Sequence, residues 1–286
     1  MGRGSRSPPL LGLDERPAEI AGLGPVLADV ARRVAARQLR GAEWRFAVTD
    51  PDGYLVLGGI TRHRPTTIPG TTGTGRSRGG VVELQVSADQ LDRLAAAAVT
   101  GSLPLGWAGL VSDIAAQFAG RDTLLADLDK RPDGRFPSAA LARHVQIRDR
   151  TCSHPCCRCP ARRGELDHTV DHAEGGSTTR KNMGPGCRKH HWFKHRLRWR
   201  LSQPEPGIFV WVSPLVQVYR TRGEPILPPL PDPVPGPVEP EGSDNYARCE
   251  GPTLRVPHKR PTPKPGPRPP PEPAEPAESD DDEPPF

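Results

Sequence analysis

After Pro25, the residues Val26, Leu27, Val30, Val34 and Leu39 fall at roughly helical spacing. That pattern predicts an amphipathic helix from Pro25 to about Arg40. Trp44 to Val48 and Tyr54 to Leu57 flank the turn sequence Asp50-Pro51-Asp52-Gly53 and read as a β-hairpin. Val81 to Val86 reads as a strand. Ser87, with Gln90 three residues on, forms a capping box for a helix through Leu91, Leu94 and the alanines that follow. A further helix runs from about Trp107 to Phe118, with Trp107, Leu110, Val111, Ile114 and Phe118 along one face. Such apolar stripes are core or interface rather than a ligand box. Ser138 caps a helix to about Arg150, which carries His144 on its surface and delivers the chain into Cys152. Leu197 to Leu201 and Ile208 to Val212 alternate around Pro204-Glu205-Pro206-Gly207 and predict a second hairpin.

Composition limits how much of the chain packs. Only 35% of the 286 residues are hydrophobic and 37 are proline, so one or two small domains plus disordered segments are expected. Residues 1–24, rich in Gly, Pro and Arg, read as a disordered N-terminus. Residues 223–286 read as a disordered, Pro-rich tail ending in the acidic run Asp280 to Glu283. Thr61 to Gly80 is rich in Arg, Thr and Gly and reads as a solvated basic loop, with a DNA-contacting arm as the alternative. No internal repeat is found.

The formal net charge of +5 is unevenly spread: Arg148 to Arg200 carries thirteen Lys/Arg against five Asp/Glu. Beyond Pro231 the balance reverses, six against twelve. A basic block beside an acidic tail points to a nucleic-acid partner. No apolar run reaches the length of a membrane span, and Leu10, Leu11 and Leu13 are too short a run for a signal peptide. A cytoplasmic, reducing location is therefore expected, where clustered cysteines favour metal over disulfides. Cys249 stands apart from the cluster.

Between Cys152 and His195 lie five of the six cysteines and six of the nine histidines. Cys152 and Cys157 form one short cluster, Cys187 and His190 another, and together they suffice for a tetrahedral zinc site. By spacing alone Cys156 and Cys159, in a C-x-x-C, compete with Cys152 and Cys157 as the first pair. Asp167, His168, Asn182 and His191 form a second set. A carboxylate beside imidazoles suits a catalytic divalent cation better than a closed structural one.

The order Asp-His, Asn, His framed by zinc ligands resembles the HNH endonucleases, whose core is the ββα-metal finger. The resemblance rests on Leu166-Asp167-His168-Thr169-Val170, the pair Gly175-Gly176, Asn182, and the run Cys187 to Lys194. Its flanks, Arg148-Asp149-Arg150-Thr151-Cys152 and the stretch from Trp199 to Pro214, are similar to an actinobacterial branch that carries a helical domain of unknown function ahead of the nuclease. The fold class implied is α+β: a mostly helical region over residues 25–145, incomplete relative to that branch, then a small zinc-stapled nuclease domain over 146–222. The family pattern selects Cys152 and Cys157, with Cys187 and His190, as ligands of a structural Zn²⁺. It further implies DNA as substrate and a catalytic Mg²⁺ or Mn²⁺ held by Asp167 and His191. His168 would be the general base, and Asn182 would ligate the metal or orient the base loop. Products would carry a 5′ phosphate and a 3′ hydroxyl.

Asp167 and His168, if on one strand, point to opposite faces, so one residue can ligate while its neighbour meets the water. Arg188, Lys189, Lys194, Arg196 and Arg198 are candidate phosphate contacts. His172 and His195 match no family position and read as solvated. Two departures stand out. Met183-Gly184-Pro185-Gly186 replaces leucines that would anchor the finger's helix, which predicts lower stability, and Asp171 replaces a proline. A catalytically degenerate, zinc-stabilised DNA-binding module is the alternative, and an adaptor using the Pro-rich tail is a weaker third.

Overall fold

The computed structural model describes residues 9–13, 17–21, 23–71 and 79–228. All belong to one compact unit, Met1–Asp232, and the second unit, Pro233–Phe286, lies outside the described residues. The fold is α+β. It opens with a 3-10 turn at Pro9–Leu11 and two short paired strands, β1 (Ala18–Ile20) and β2 (Gly24–Val26). Pro25 lies in that second strand rather than at a helix start. Helix α1 covers Ala28–Gln38. Its buried side consists of Ala28, Ala31, Arg32, Ala35 and Ala36, while Leu27 is exposed. Of the expected apolar stripe, Leu39 is buried in the main core, and Val26, Val30 and Val34 are half-buried. Within residues 1–24, expected to be disordered, Leu10 and Leu11 are buried in the main core.

The expected first hairpin is strands β3 (Glu43–Thr49) and β4 (Leu55–Thr61), antiparallel. Its turn is locked by the Asp50 carboxylate, which accepts from the Tyr54 amide at 2.8 Å. Strand β5 (Val81–Ser87) adds parallel to β3, giving the order β4-β3-β5. Residues 25–145 therefore carry a sheet as well as helices. Of the loop expected to be solvated, residues 72–78 lie outside those described, but its first part is packed: Ile68 is buried in the main core and the Thr67 carbonyl accepts from Trp107 Nε1. Ser87 caps α2 (Ala88–Val99) by accepting from the Gln90 amide, as expected, and the Gln90 side-chain nitrogen is buried without a partner. Helix α3 (Ala108–Ala119) matches the expected stripe, and α4 (Arg121–Leu128) follows directly.

Strand β3 is covered on both faces. Trp44, Phe46 and Val48 join Leu91, Trp107, Leu110 and Ile114 in the main core, whereas Ala47 packs with Ile147 and Ile226 on the other side. Ile147 belongs to α5 (Ala139–Asp149), capped by Ser138 as expected. That helix lies between β4 and the downstream region, so His144, expected on the surface, is buried. Burial pushes its pKa down to about 3, helped by Arg148 and Arg180 nearby. Ile226, in the stretch expected to be disordered from residue 223, also docks here, with its amide bonded to the Gly53 carbonyl.

Beyond α5 the chain forms a hairpin of β6 (Glu165–His168) and β7 (Met183–Gly186), then helix α6 (Arg188–Arg196). Strands β8 (Arg200–Glu205), β9 (Ile208–Val212) and β10 (Val218–Arg222) make an antiparallel sheet, one strand more than the expected second hairpin. The Met183-Gly184-Pro185-Gly186 run is buried throughout. A Cβ on Gly184 would strike the Phe209 ring, and Met183 packs with Leu141 and Val145. The glycine here is what lets β9 seat on the hairpin, not merely a lost anchor. No helix among the described residues is long and apolar enough to cross a membrane.

Candidate metal centre

The loop after α5 closes on itself. The Cys152 amide donates to the Cys159 carbonyl at 2.8 Å and the Cys157 amide to His154, which turns two thiols toward the start of α6. Cys187 sits at the N-cap of that helix and His190 in its first turn. The four ligand atoms of Cys152, Cys157, Cys187 and His190 lie within 4.8 Å of one another. His190 Nδ1 is 3.5 Å from Cys152 Sγ and 3.3 Å from Cys187 Sγ, and the Cys157 and Cys187 sulfurs are 3.9 Å apart. A tetrahedral zinc with bonds of about 2.0–2.3 Å spaces its ligand atoms roughly 3.5–3.8 Å apart. These residues therefore fit a metal such as zinc. Cys156 is exposed, at a positive φ of 58°, and Cys159 stays outside the cluster, which separates the two pairings that spacing left open.

Without a metal the thiols are mismatched. Burial pushes Cys152 up to about 12. Burial also raises Cys187, but hydrogen bonds from the His190 amide and from Cys157 and Cys152 outweigh it and leave a net lowering. His190 is lowered to about 4, first by burial and then by the neighbouring His154 and Lys189. Its ring is thus neutral at physiological pH, the form in which an imidazole can ligate a metal. His154 stacks on the His190 ring at 3.7 Å and meets Trp199 and Trp211 at 5.0 and 5.1 Å. Trp211 Nε1 donates to the Ser153 carbonyl, fixing the C-terminal sheet on the cysteine loop. Arg148, bidentate to Asp149, also donates to the carbonyls of Arg180 and Met183, so one buried ion pair ties α5 to the hairpin.

A second cluster lies across α6. Asp167, His191 and His195 offer ligand atoms within 4.8 Å of one another. Asp167 Oδ2 is 3.7 Å from His191 Nε2 and 3.3 Å from His195 Nε2. His195, expected to be solvated, is therefore part of the group. Spacing could have found it: residues four apart on a helix share a face. Glu165, also unanticipated, sits 3.0 Å from His191 Nδ1 and orients that ring with Nε2 toward Asp167. A carboxylate behind a ligating imidazole is the usual way such a ring is fixed.

Lys194 corrects another expectation. Its ammonium does not face outward to phosphates but donates to Asp167 Oδ2 at 3.0 Å, to the His168 carbonyl and to Asp171. Residues 191, 194 and 195 share one helix face, and that face is turned to β6. Asp171, in place of a proline, is thus a partner for Lys194. Arg188, Lys189, Arg196 and Arg198 are exposed as expected.

Asp167 and His168 do point to opposite faces of β6. His168 is buried and its Nε2 lies 2.7 Å from Thr178 Oγ1. Burial lowers its pKa, so the ring is neutral near pH 7. The Thr178 hydroxyl has a single proton, and the Gly134 carbonyl beside it can only accept. Toward His168 the hydroxyl is therefore an acceptor, which puts the imidazole proton on Nε2 and the free lone pair on Nδ1. Asn182 is spent on the loop backbone: Oδ1 accepts from the Val170 amide, and Nδ2 donates to the carbonyls of Val170 and Ser177. It orients the loop and does not join the cluster. Gly175 adopts a positive φ of 88°, and a Cβ on Gly176 would strike the Val170 carbonyl. Both glycines are thus required by the same loop.

The chain is 36% identical over 120 residues to Uncharacterized protein Rv3776 of Mycobacterium tuberculosis (strain ATCC 25618 / H37Rv), a match covering 37% of this chain and 23% of that protein. It is 38% identical over 97 residues to Uncharacterized protein Rv2100 of the same strain, covering 34% of this chain and 17% of that protein. The matched stretches span less than a quarter of either relative. No family model matches the chain, and no solved structure matches it.

Proposed function

We propose that residues 146–222 form a zinc-stapled HNH-type nuclease domain of the ββα-metal class that hydrolyses DNA. The observation that carries this reading is the Asp167–His191–His195 cluster on one side of β6, with the neutral, buried His168 on the other side of the same strand. Two soft-ligand and hard-ligand groups flanking one short helix divide into a closed, structural set and an open one. Cys152, Cys157, Cys187 and His190 would hold zinc; Asp167, His191 and His195 would hold Mg²⁺ or Mn²⁺. A divalent cation there would offset charge on the scissile phosphate and the departing 3′ oxygen.

The rest of the chemistry belongs to the chain's own side chains. His168 Nδ1 takes a proton from water while Thr178 holds Nε2, so the ring cannot turn away. The hydroxide forms a bond to phosphorus, the bond to the 3′ oxygen breaks, and that oxygen takes its electron pair and then a proton from solvent water to become the 3′ hydroxyl, leaving the phosphate on the 5′ side. Asn182 keeps the loop after His168 closed. Glu165 keeps His191 in position. Exposed Arg188, Lys189, Arg196 and Arg198 supply the positive field for the phosphate backbone.

One feature favours the non-catalytic alternative, a DNA-binding module with the same scaffold: the Lys194 ammonium already neutralises Asp167, so a cation must compete with it. Cleavage of plasmid and of single-stranded DNA with added Mg²⁺ or Mn²⁺ decides between the two. Cleavage lost in His168→Ala, with zinc content and DNA affinity retained, supports hydrolysis. A parent protein that binds DNA but never nicks it with either metal establishes the alternative.

A further inference from the structure

Trp192 is 52% exposed, although the other tryptophans of the C-terminal region, Trp199 and Trp211, are packed around His154. It lies at the centre of the outward face of α6. Arg188, Trp192 and Arg196 are four residues apart in turn, so the three side chains form one stripe. That stripe lines an open groove of about 780 Å³ together with His191 and His195 of the same helix and Glu165 of β6. An exposed indole between two guanidinium groups, beside a cluster of metal-ligand type, does not serve core packing. The flat ring offers a π-face, and the two arginines offer phosphate contacts on either side of it.

We infer that Trp192 is a stacking platform for an unpaired nucleobase, and that the groove therefore prefers single-stranded or locally unpaired nucleic acid over intact duplex. The inference rests on the nuclease reading above and names its substrate class. In a duplex each base already has both faces covered by its neighbours, so an aromatic side chain gains little from it. An unpaired base presents a free face and stacks on an indole whatever its identity. Charge complementarity selects nucleic acid as the occupant: Arg188, Lys189 and Arg196 line the same groove as the ring, and the groove's acidic member, Glu165, is bonded to His191. A base on Trp192 sets its phosphate alongside His191 and His195, within the same groove.

The test is a pair of affinities measured with the full chain by fluorescence anisotropy, without added Mg²⁺ or Mn²⁺. The probes are a labelled oligo(dT) and the same strand annealed to oligo(dA). Trp192→Ala should weaken oligo(dT) binding by about 5- to 150-fold, the range of one base–aromatic stack, and leave duplex affinity unchanged. Trp192→Phe should keep most of the single-strand affinity, whereas Arg196→Ala should weaken both probes. Unchanged oligo(dT) affinity in Trp192→Ala overturns the inference and leaves the ring to another partner, such as a protein. Equal loss on both probes overturns it too, as a duplex wedge would. A parent that binds neither probe removes the nucleic-acid reading and this inference with it. A parent that binds oligo(dT) through Trp192 but cleaves nothing with Mg²⁺ or Mn²⁺ keeps the stacking platform and refutes the nuclease.

Discussion

Replacing Cys187 with serine removes one corner of the Cys152–Cys157–Cys187–His190 group at the point where α6 begins. The expected consequence follows from how few buried apolar side chains residues 150–200 themselves supply. The buried hydrophobic residues in that interval are Cys152, Ala161 and Met183. One fully buried Met-sized side chain contributes about 1.5–3 kcal/mol, so with Ala161 and the cysteine the total is about 5 kcal/mol. A structural zinc contributes about 10–16 kcal/mol in small fingers, as much as the whole stability of an ordinary domain, about 5–15 kcal/mol. Loss of the metal should therefore unfold this region. The N-terminal core should persist, because its buried members, from Leu10 to Ile114, include no residue of the 150–200 region. Elemental analysis of the parent should find one zinc per chain. In Cys187→Ser, emission from Trp199 and Trp211 should shift as the stack of His154 on His190 is lost. Far-UV circular dichroism should retain most of its helical signal. Purified parent without zinc, or a serine variant with unchanged emission and melting, would falsify the structural role. The exposed Cys156 is the control: if Cys156→Ser loses zinc while Cys152→Ser keeps it, the other cysteine pair is the ligand set.

His168→Ala should lower cleavage by about 10²- to 10⁴-fold, the usual cost of losing a positioned base, and no metal concentration should restore it. Because burial favours the neutral ring, parental activity should rise with pH along a limb below the ordinary imidazole value of 6.5; a rate that falls with pH across that limb contradicts a neutral base. Lys194→Met should let Mg²⁺ saturate at lower concentration, by roughly tenfold or more if one charge-assisted hydrogen bond of about 1.5–3 kcal/mol is removed from Asp167. A metal titration curve that does not move counts against competition between ammonium and cation. Gly184→Ala should destabilise the finger by about 1–3 kcal/mol through its clash with Phe209, read as a lower urea midpoint, and an unchanged midpoint would mean that β9 shifts freely. Removing Arg188 and Arg196 should flatten the dependence of log binding constant on log salt by about 0.9 for each phosphate that is no longer neutralised, and equal slopes would place the phosphates elsewhere.

Features set by neighbours in sequence are legible in the sequence itself, and features set by the assembled fold are not. The turn at Asp50–Gly53 and the caps at Ser87 and Ser138 each depend on residues within a few positions, and each forms where expected. The burial of His144, the docking of Ile226 and the parallel pairing of β3 with β5 depend on long-range partners that no local pattern encodes. The candidate site divides along the same line. Glu165 stands behind His191 only because β6 and α6 meet. Lys194 and His195 are a different case, because the signal is present and belongs to helix geometry. Once Cys187 caps a helix, residues 191, 194 and 195 must share one face, and residues 188, 192 and 196 must share another. Placing His191 against Asp167 therefore commits Lys194 and His195 to the same carboxylate, and commits Trp192 to the solvent between two arginines. Counting basic residues treats Arg188, Lys194 and Arg196 alike. Helical phase separates them into two that can reach a phosphate backbone and one whose charge is consumed inside the site.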